Sequence, residues 1–197
     1  MPERFVRLPT LIAALWPRVA GTAMLRAVAL AGVGVVLLTV SAKLKAPFYP
    51  VPMTMQTFVV LVIGAAYGWR LGTAAVMLYL AAGAIGLPVF ADTPARGVGL
   101  AYMVGPTGGY LVGFVAAAAL AGHLAERGWD RSLGWAFAAM LVCHAAIFAF
   151  GVAWLARTVG IERAWAAGVA PFYLATLLKA ALAAAVLRGS WWLQARR

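Results

Sequence analysis

One lysine, Lys179, stands inside the apolar segment 171–187 of a chain that is otherwise almost entirely apolar. A cation near the middle of a bilayer is costly and is rarely there without a task. Lys179 lies eight residues past Pro171 and nine before Arg188. The first separation is about 12 Å along a helix at 1.5 Å per residue, so the stem cannot easily carry the ammonium out to an interface. Phe172, Thr176 and Lys179 follow i, i+4, i+7 spacing and share one helix face. The chemistry open to such a lysine is donation to an anionic or carbonyl oxygen of a small solute. The structural alternative is a bond to backbone carbonyls or to another helix.

Other residues have the same double character. Gly105-Pro106-Thr107-Gly108-Gly109-Tyr110-Leu111 predicts a turn with Pro at the first position of a helix. The free N–H groups of that helix end would suit an anion or a carbonyl. Gly108 and Gly109 let either a ligand or a neighbouring helix approach the backbone. In the stretch 51–57, Thr54 is a candidate N-cap, and Gln56 would sit one turn inside the membrane, where its amide needs a partner on a ligand or another helix. Asp92 and Arg96, four apart, read as a loop ion pair or as ligand anchors. His144, near the middle of an apolar segment, could contact a ligand, carry a proton or be held by a neighbouring helix. Ala23, Ala27 and Ala31 form a stripe of small residues that could receive a partner helix or pack internally.

Several chemistries are excluded. The chain has no P-loop, no Gly-x-Ser-x-Gly and no His-Glu-x-x-His. Its five acidic residues argue against an intramembrane transferase or protease. A single cysteine, Cys143, excludes an internal disulfide and a multi-cysteine metal site. The net charge of +11 does not point to nucleic acid, because the Lys and Arg residues sit at the ends of apolar runs rather than in a polar patch.

The elements that must position these residues are membrane spans. Only 11% of the residues are charged, against about 25% in a typical soluble domain. Six apolar segments are expected as spans: 22–44, 54–68, 71–87, 106–125, 132–157 and 170–189. The second and third are short for a span of about 20 residues. Residues 1–20, with Trp16, are expected to form an N-terminal interfacial segment ahead of a single domain, 21–197. With six spans, ten Lys and Arg residues fall on the side of the termini and five on the other, which predicts cytoplasmic termini. The longer loops, rich in Pro and Gly, then lie on the outer face and suit a lid over a site.

Four segments, in order, carry a resemblance to a known family: Val51-Pro-Met-Thr-Met-Gln-Thr57, Gly83-Ala-Ile-Gly-Leu-Pro-Val-Phe90, Gly105-Pro-Thr-Gly-Gly-Tyr-Leu111 and Pro171-Phe-Tyr-Leu-Ala-Thr-Leu-Leu-Lys179. From residue 24 onward the chain resembles the BioY family, the biotin-specific substrate-binding (S) subunits of energy-coupling-factor (ECF) transporters. The resemblance implies an all-α membrane protein of six transmembrane helices that captures biotin from outside in a pocket roofed by loops. It implies no enzymatic activity, no metal and no cofactor beyond the transported biotin. The implied partners are biotin, an ECF coupling membrane protein, a pair of cytoplasmic ATPases and the lipid bilayer. Nucleic acid is not among them, and a homo-oligomer is left open. The location is the cell membrane, the inner membrane if the source is Gram-negative.

Where the family's last helix usually carries an acid three residues before the lysine, this chain has Thr176. The expected ligand contacts are Lys179, Thr176, Phe172, Gly105, Thr107, Gly108, Gly109, Tyr110, Gln56, Asp92, Arg96 and His144, with Ala23, Ala27 and Ala31 as the docking stripe. The alternatives are capture of another small vitamin or heterocycle, or, in a different class, an intramembrane enzyme or assembly factor.

Overall fold

The computed structural model describes residues 8–17, 22–46 and 50–196. The expected interfacial segment 1–20 is therefore covered only in part, with 1–7 and 18–20 outside the described residues. Its described portion holds a short helix, α1 (Leu11–Leu15). The remaining helices are α2 (Ala23–Lys43), α3 (Gln56–Tyr67), α4 (Trp69–Ala84), α5 (Gly99–Met103), α6 (Gly108–Ala125), α7 (Leu133–Val159), α8 (Ile161–Gly168) and α9 (Tyr173–Gln194). Each of the six apolar segments coincides with one long helix: α2, α3, α4, α6, α7 and α9. Among the described residues, four stretches are by length and composition apolar and long enough to cross a membrane: Ala23–Lys43, Gly108–Ala125, Leu133–Val159 and Ile161–Gln194.

The centre of the bundle is α6, which is buried on nearly all sides and packs against α3, α4 and α7. Small residues make this possible. A Cβ on Gly64 of α3 would come within 2.6 Å of the Ala118 carbonyl oxygen, and one on Gly113 within 2.9 Å of Ile147 in α7. The outer surface is apolar: Met24, Leu25, Val142, Leu174 and Leu178 are all exposed. Large apolar side chains facing outward along spans this long are lipid-facing.

The tight connection between α3 and α4 is made by Gly68 alone, with φ +84°, in the region that favours glycine. The Glu126 carboxylate accepts a hydrogen bond from the Trp69 N–H at 3.2 Å, at the N-terminus of α4 where negative charge is favoured. The Leu8 N–H donates to the Glu126 carbonyl (2.9 Å), and Arg131 donates to the Pro9 carbonyl (3.2 Å). From α9, the Trp191 indole donates to the Asp130 carboxylate at 2.6 Å. Both described ends of the chain therefore lie at the same end of the bundle as turns 68–69 and 126–131. Arginines stack on tryptophans at that end: Arg131 on Trp191 (4.4 Å), Arg196 on Trp192 (3.6 Å) and Arg70 on Trp69 (5.2 Å). Such pairs suit a headgroup layer.

The opposite end is irregular. A two-residue antiparallel ribbon pairs β1 (Lys45–Ala46) with β2 (Met53–Thr54), in the register Lys45↔Thr54. This ribbon was not foreseen. Loop 85–98 folds back over the bundle and is tied down by cations. The Lys43 ammonium, at the end of α2, donates to the carbonyls of Phe90 (2.8 Å) and Thr93 (3.1 Å) and to the Thr93 hydroxyl (3.0 Å). Asp92, itself at φ +59°, pairs with Lys45 and with Arg96 (3.4 Å). Arg96 also donates to the Pro50 carbonyl at 3.1 Å.

Candidate functional site

Beneath this clasped loop lies a chamber walled by α3, α6, α7 and α9 and roofed by Val51, Pro52, Thr54, Phe90 and Tyr102. Its walls are mostly apolar, with Phe114, Ile147, Phe148 and Phe172 among them. The roof is aromatic: the Phe90 ring stacks on Tyr102 (centroids 4.9 Å, 17°) and meets Tyr79 edge-on (5.4 Å, 83°). Burial raises the Tyr102 phenol above its ordinary value, with a hydrogen bond to Thr107 opposing, so Tyr102 meets the chamber as a neutral hydroxyl.

Lys179 is buried in α9 and lines the chamber. Its ammonium donates to the Thr54 carbonyl at 2.6 Å and lies 3.4 Å from the Thr57 hydroxyl. The bond to a backbone carbonyl is the structural alternative weighed from sequence, yet the same residue faces the chamber. Of the residues lining the chamber, none is an acid. Thr176 lines it one turn before the lysine, as the helix spacing requires.

Gln56 also lines the chamber. Its amide donates to the Tyr79 hydroxyl (2.6 Å), which in turn donates to the Val89 carbonyl (3.1 Å). This relay joins α3 to α4 and holds the loop that carries Phe90. Thr54 accepts from the Gln56 N–H at 3.3 Å, but it lies in β2 and the N-cap of α3 is Met55, not Thr54 as expected. His144 of α7 is 2% exposed and lines the same chamber. Tyr110 does too, while its hydroxyl donates to the Gly168 carbonyl at 2.9 Å and braces α6 against the end of α8.

Five of the expected contacts are not brought to the chamber wall. Helix α6 begins at Gly108 with Thr107 as its cap, so Pro106 stands in the turn ahead rather than at the first helical position. The two glycines serve close packing: a Cβ on Gly108 would strike the Met103 carbonyl, and one on Gly109 would strike Trp154 and the Phe150 carbonyl. The carbonyl of Gly105 accepts from the Trp154 indole at 3.0 Å. Of that motif Thr107, Tyr110 and Leu111 reach the chamber. Asp92 and Arg96 sit in the loop clasp, satisfied by Lys45, by each other and by Pro50.

The alanine stripe is divided as well. Ala23 is exposed and Ala27 half-buried, whereas Ala31 is half-buried and packed against the core. Residues that the sequence reading missed are Phe90, Tyr102 and Phe114. Phe90 closes the Gly83–Phe90 motif, and Gly83 is the only residue type that leaves room for its ring. That pairing was the available signal.

Fold and chamber together define a multi-pass helical membrane protein with a mostly apolar internal chamber. The chain belongs to the BioY family, whose model matches residues 13–196. It is 39% identical over 157 residues to the biotin transporter BioY of Thermotoga maritima, covering 79% of this chain and 90% of that protein. It is 38% identical over 156 residues to the "Probable biotin transporter BioY" of Pyrococcus horikoshii, with the same 79% and 90% coverage. Its fold matches a crystal structure of the S-component for biotin from an ECF-type ABC transporter, with a TM-score of 0.75 at 22% identity, over 87% of this chain and 94% of that one.

Proposed function

We propose that this chain captures biotin at the outer face of the cell membrane and serves as the substrate-specific subunit of an ECF-type transporter. The observation that carries the reading is the enclosed chamber, with aromatic and aliphatic walls and a buried ammonium at Lys179 that has no acid beside it in the lining. Biotin has an apolar fused ring and chain, with a ureido group and a carboxylate to anchor. Lys179, Thr176, Gln56, His144, Thr107 and Tyr110 supply the polar contacts, and Phe172 with the other aromatics supplies the wall. Binding here needs no chemistry on the ligand, which leaves unchanged.

In this reading the chain crosses the bilayer six times. Both termini and the turns at 68–69 and 126–131 face the cytoplasm, where the excess of arginine belongs. The clasped loop faces outward as the lid. Energy comes from an ECF coupling membrane protein and a pair of cytoplasmic ATPases, docked near Ala23 and Ala27 on α2. The purified chain alone should bind biotin and show no ATP hydrolysis. Mass spectrometry of small molecules released from purified protein, followed by radiolabelled biotin binding competed with a panel of vitamins, tests the reading. Release of a different heterocycle, or equal competition by unrelated vitamins, would refute it.

A further inference from the structure

We infer that the Nε2 of His144 is the acceptor that reads an N–H of the ureido ring, fixing which end of the ligand sits against α7. The inference rests on the proposed function above and extends it to ligand orientation.

The first ring nitrogen of His144 is accounted for. Nδ1 lies 2.9 Å from the Met140 carbonyl, one turn back on its own helix. A carbonyl can only accept, so Nδ1 carries a hydrogen. Nε2, at the far side of the ring, is buried and has no partner among the described residues. A polar atom left unsatisfied at 2% residue exposure calls for a partner, and on a side chain that lines a cavity the cavity is where one can arrive.

The ring is neutral. A charged imidazolium would be a second cation beside Lys179 in a chamber whose lining holds no acid, and burying an unpaired charge is costly. A neutral ring with its hydrogen on Nδ1 presents Nε2 as a bare lone pair. Nε2 therefore has nothing to donate, and only a donor that enters the chamber, a water or a ligand N–H, satisfies it.

The chemistry of biotin then decides the contact. Its ionised carboxylate, ring sulfur, ureido carbonyl and aliphatic chain carry no hydrogen-bond donor. The two ureido N–H groups are its only ones. An acceptor-only atom in the chamber can thus meet biotin only at the ureido ring, and the carboxylate must lie away from His144.

The test uses the full-length purified chain in lipid nanodiscs, with three probes: biotin and the two isomers methylated on one ureido nitrogen. His144→Phe keeps a flat ring and removes the acceptor. It should bind biotin at least about tenfold more weakly than the wild type. In the wild type, one methylated isomer should lose at least about tenfold while the other loses little. The weak isomer should bind His144→Phe no worse than it binds the wild type, since the contact is already absent. His144→Gln, which restores an acceptor carbonyl, should recover part of the biotin affinity.

Biotin affinity of His144→Phe equal to wild type would overturn the inference. So would equal binding of all three probes, or uniform loss for both isomers, which is the mark of steric exclusion. If His144→Phe does not yield monodisperse protein, the isomer series on the wild type decides alone. A folded wild type that fails to bind biotin at all is a different result, and overturns the function on which the inference rests.

Discussion

Replacing Lys179 with methionine separates what the charge does for the ligand from what it does for the fold. The ammonium has three N–H groups. One goes to the Thr54 carbonyl at 2.6 Å, and a second, weaker contact reaches the Thr57 hydroxyl at 3.4 Å. At most one strong donor remains for a ligand oxygen. A charge-assisted hydrogen bond in a dry site is worth about 1.5–3 kcal/mol, or roughly ten- to a hundredfold in affinity. Two effects on the empty protein oppose each other. The variant leaves the Thr54 carbonyl without its partner, at about 1–3 kcal/mol, but it also removes a buried ammonium, whose desolvation costs several kcal/mol. Methionine keeps the volume of the stem, so no cavity term enters. The expected result is a ten- to hundredfold fall in biotin affinity by calorimetry with a thermal midpoint close to wild type. Wild-type affinity in Lys179→Met would refute the reasoning and make Lys179 a tie between α9 and the ribbon, nothing more.

Gly83→Ala should weaken biotin binding without touching the chamber directly. The new methyl would run into the Phe90 ring, displacing the roof at a cost of about 1–3 kcal/mol in strain; unchanged affinity would show that Phe90 does not close the site. Asp130 gives a pH signature. Burial raises its carboxyl above the ordinary value, with the Trp191 indole and Arg131 opposing. A carboxyl that holds its proton more tightly when folded adds stability that is full below its unfolded value of about 3.9 and is lost as pH rises through the folded value. The thermal midpoint should therefore fall as pH climbs from about 4, and Asp130→Asn should flatten that slope; an unaltered slope would assign it to another group. Ala27→Leu should reduce co-purification with the coupling protein more than it reduces biotin binding, and normal co-purification would make the stripe internal packing. A reporter fused after Arg197 should be active only in the cytoplasm, and activity outside would reverse the orientation.

The long helices were legible because lipid imposes one rule on them. Every backbone group must be satisfied within its own segment, so an apolar run of sufficient length becomes a helix whatever surrounds it. Lys179, Thr176 and Phe172 were legible for a related reason, since 3.6-residue periodicity places them on one face before any packing is known. The outer end obeys neither rule. Lys43 and Lys45 entered the sequence reading only as charges on one side of a topology count, and Arg96 also as a partner of Asp92 or a ligand anchor. In the structure they fasten the 85–98 loop through the Phe90 and Thr93 carbonyls, Asp92 and Pro50. Nothing in a linear sequence joins Lys43 to a carbonyl 47 residues on.

The Gly108-Gly109 pair shows the reverse error. Glycine permits close approach but does not say of what, and here Trp154 and the Phe150 and Met103 carbonyls occupy the space a ligand might have used. His144 stood between ligand contact and helix packing on sequence, and the structure shows the packing contact and a place in the chamber lining. Its packing contact, Nδ1 to the Met140 carbonyl, fixes the ring of a residue that lines the chamber and leaves Nε2 buried without a partner among the described residues. On the inference above, a local bond of four-residue reach sets up a contact with a ligand that has yet to arrive. This is why the bland reading of a buried histidine and the functional one need not compete.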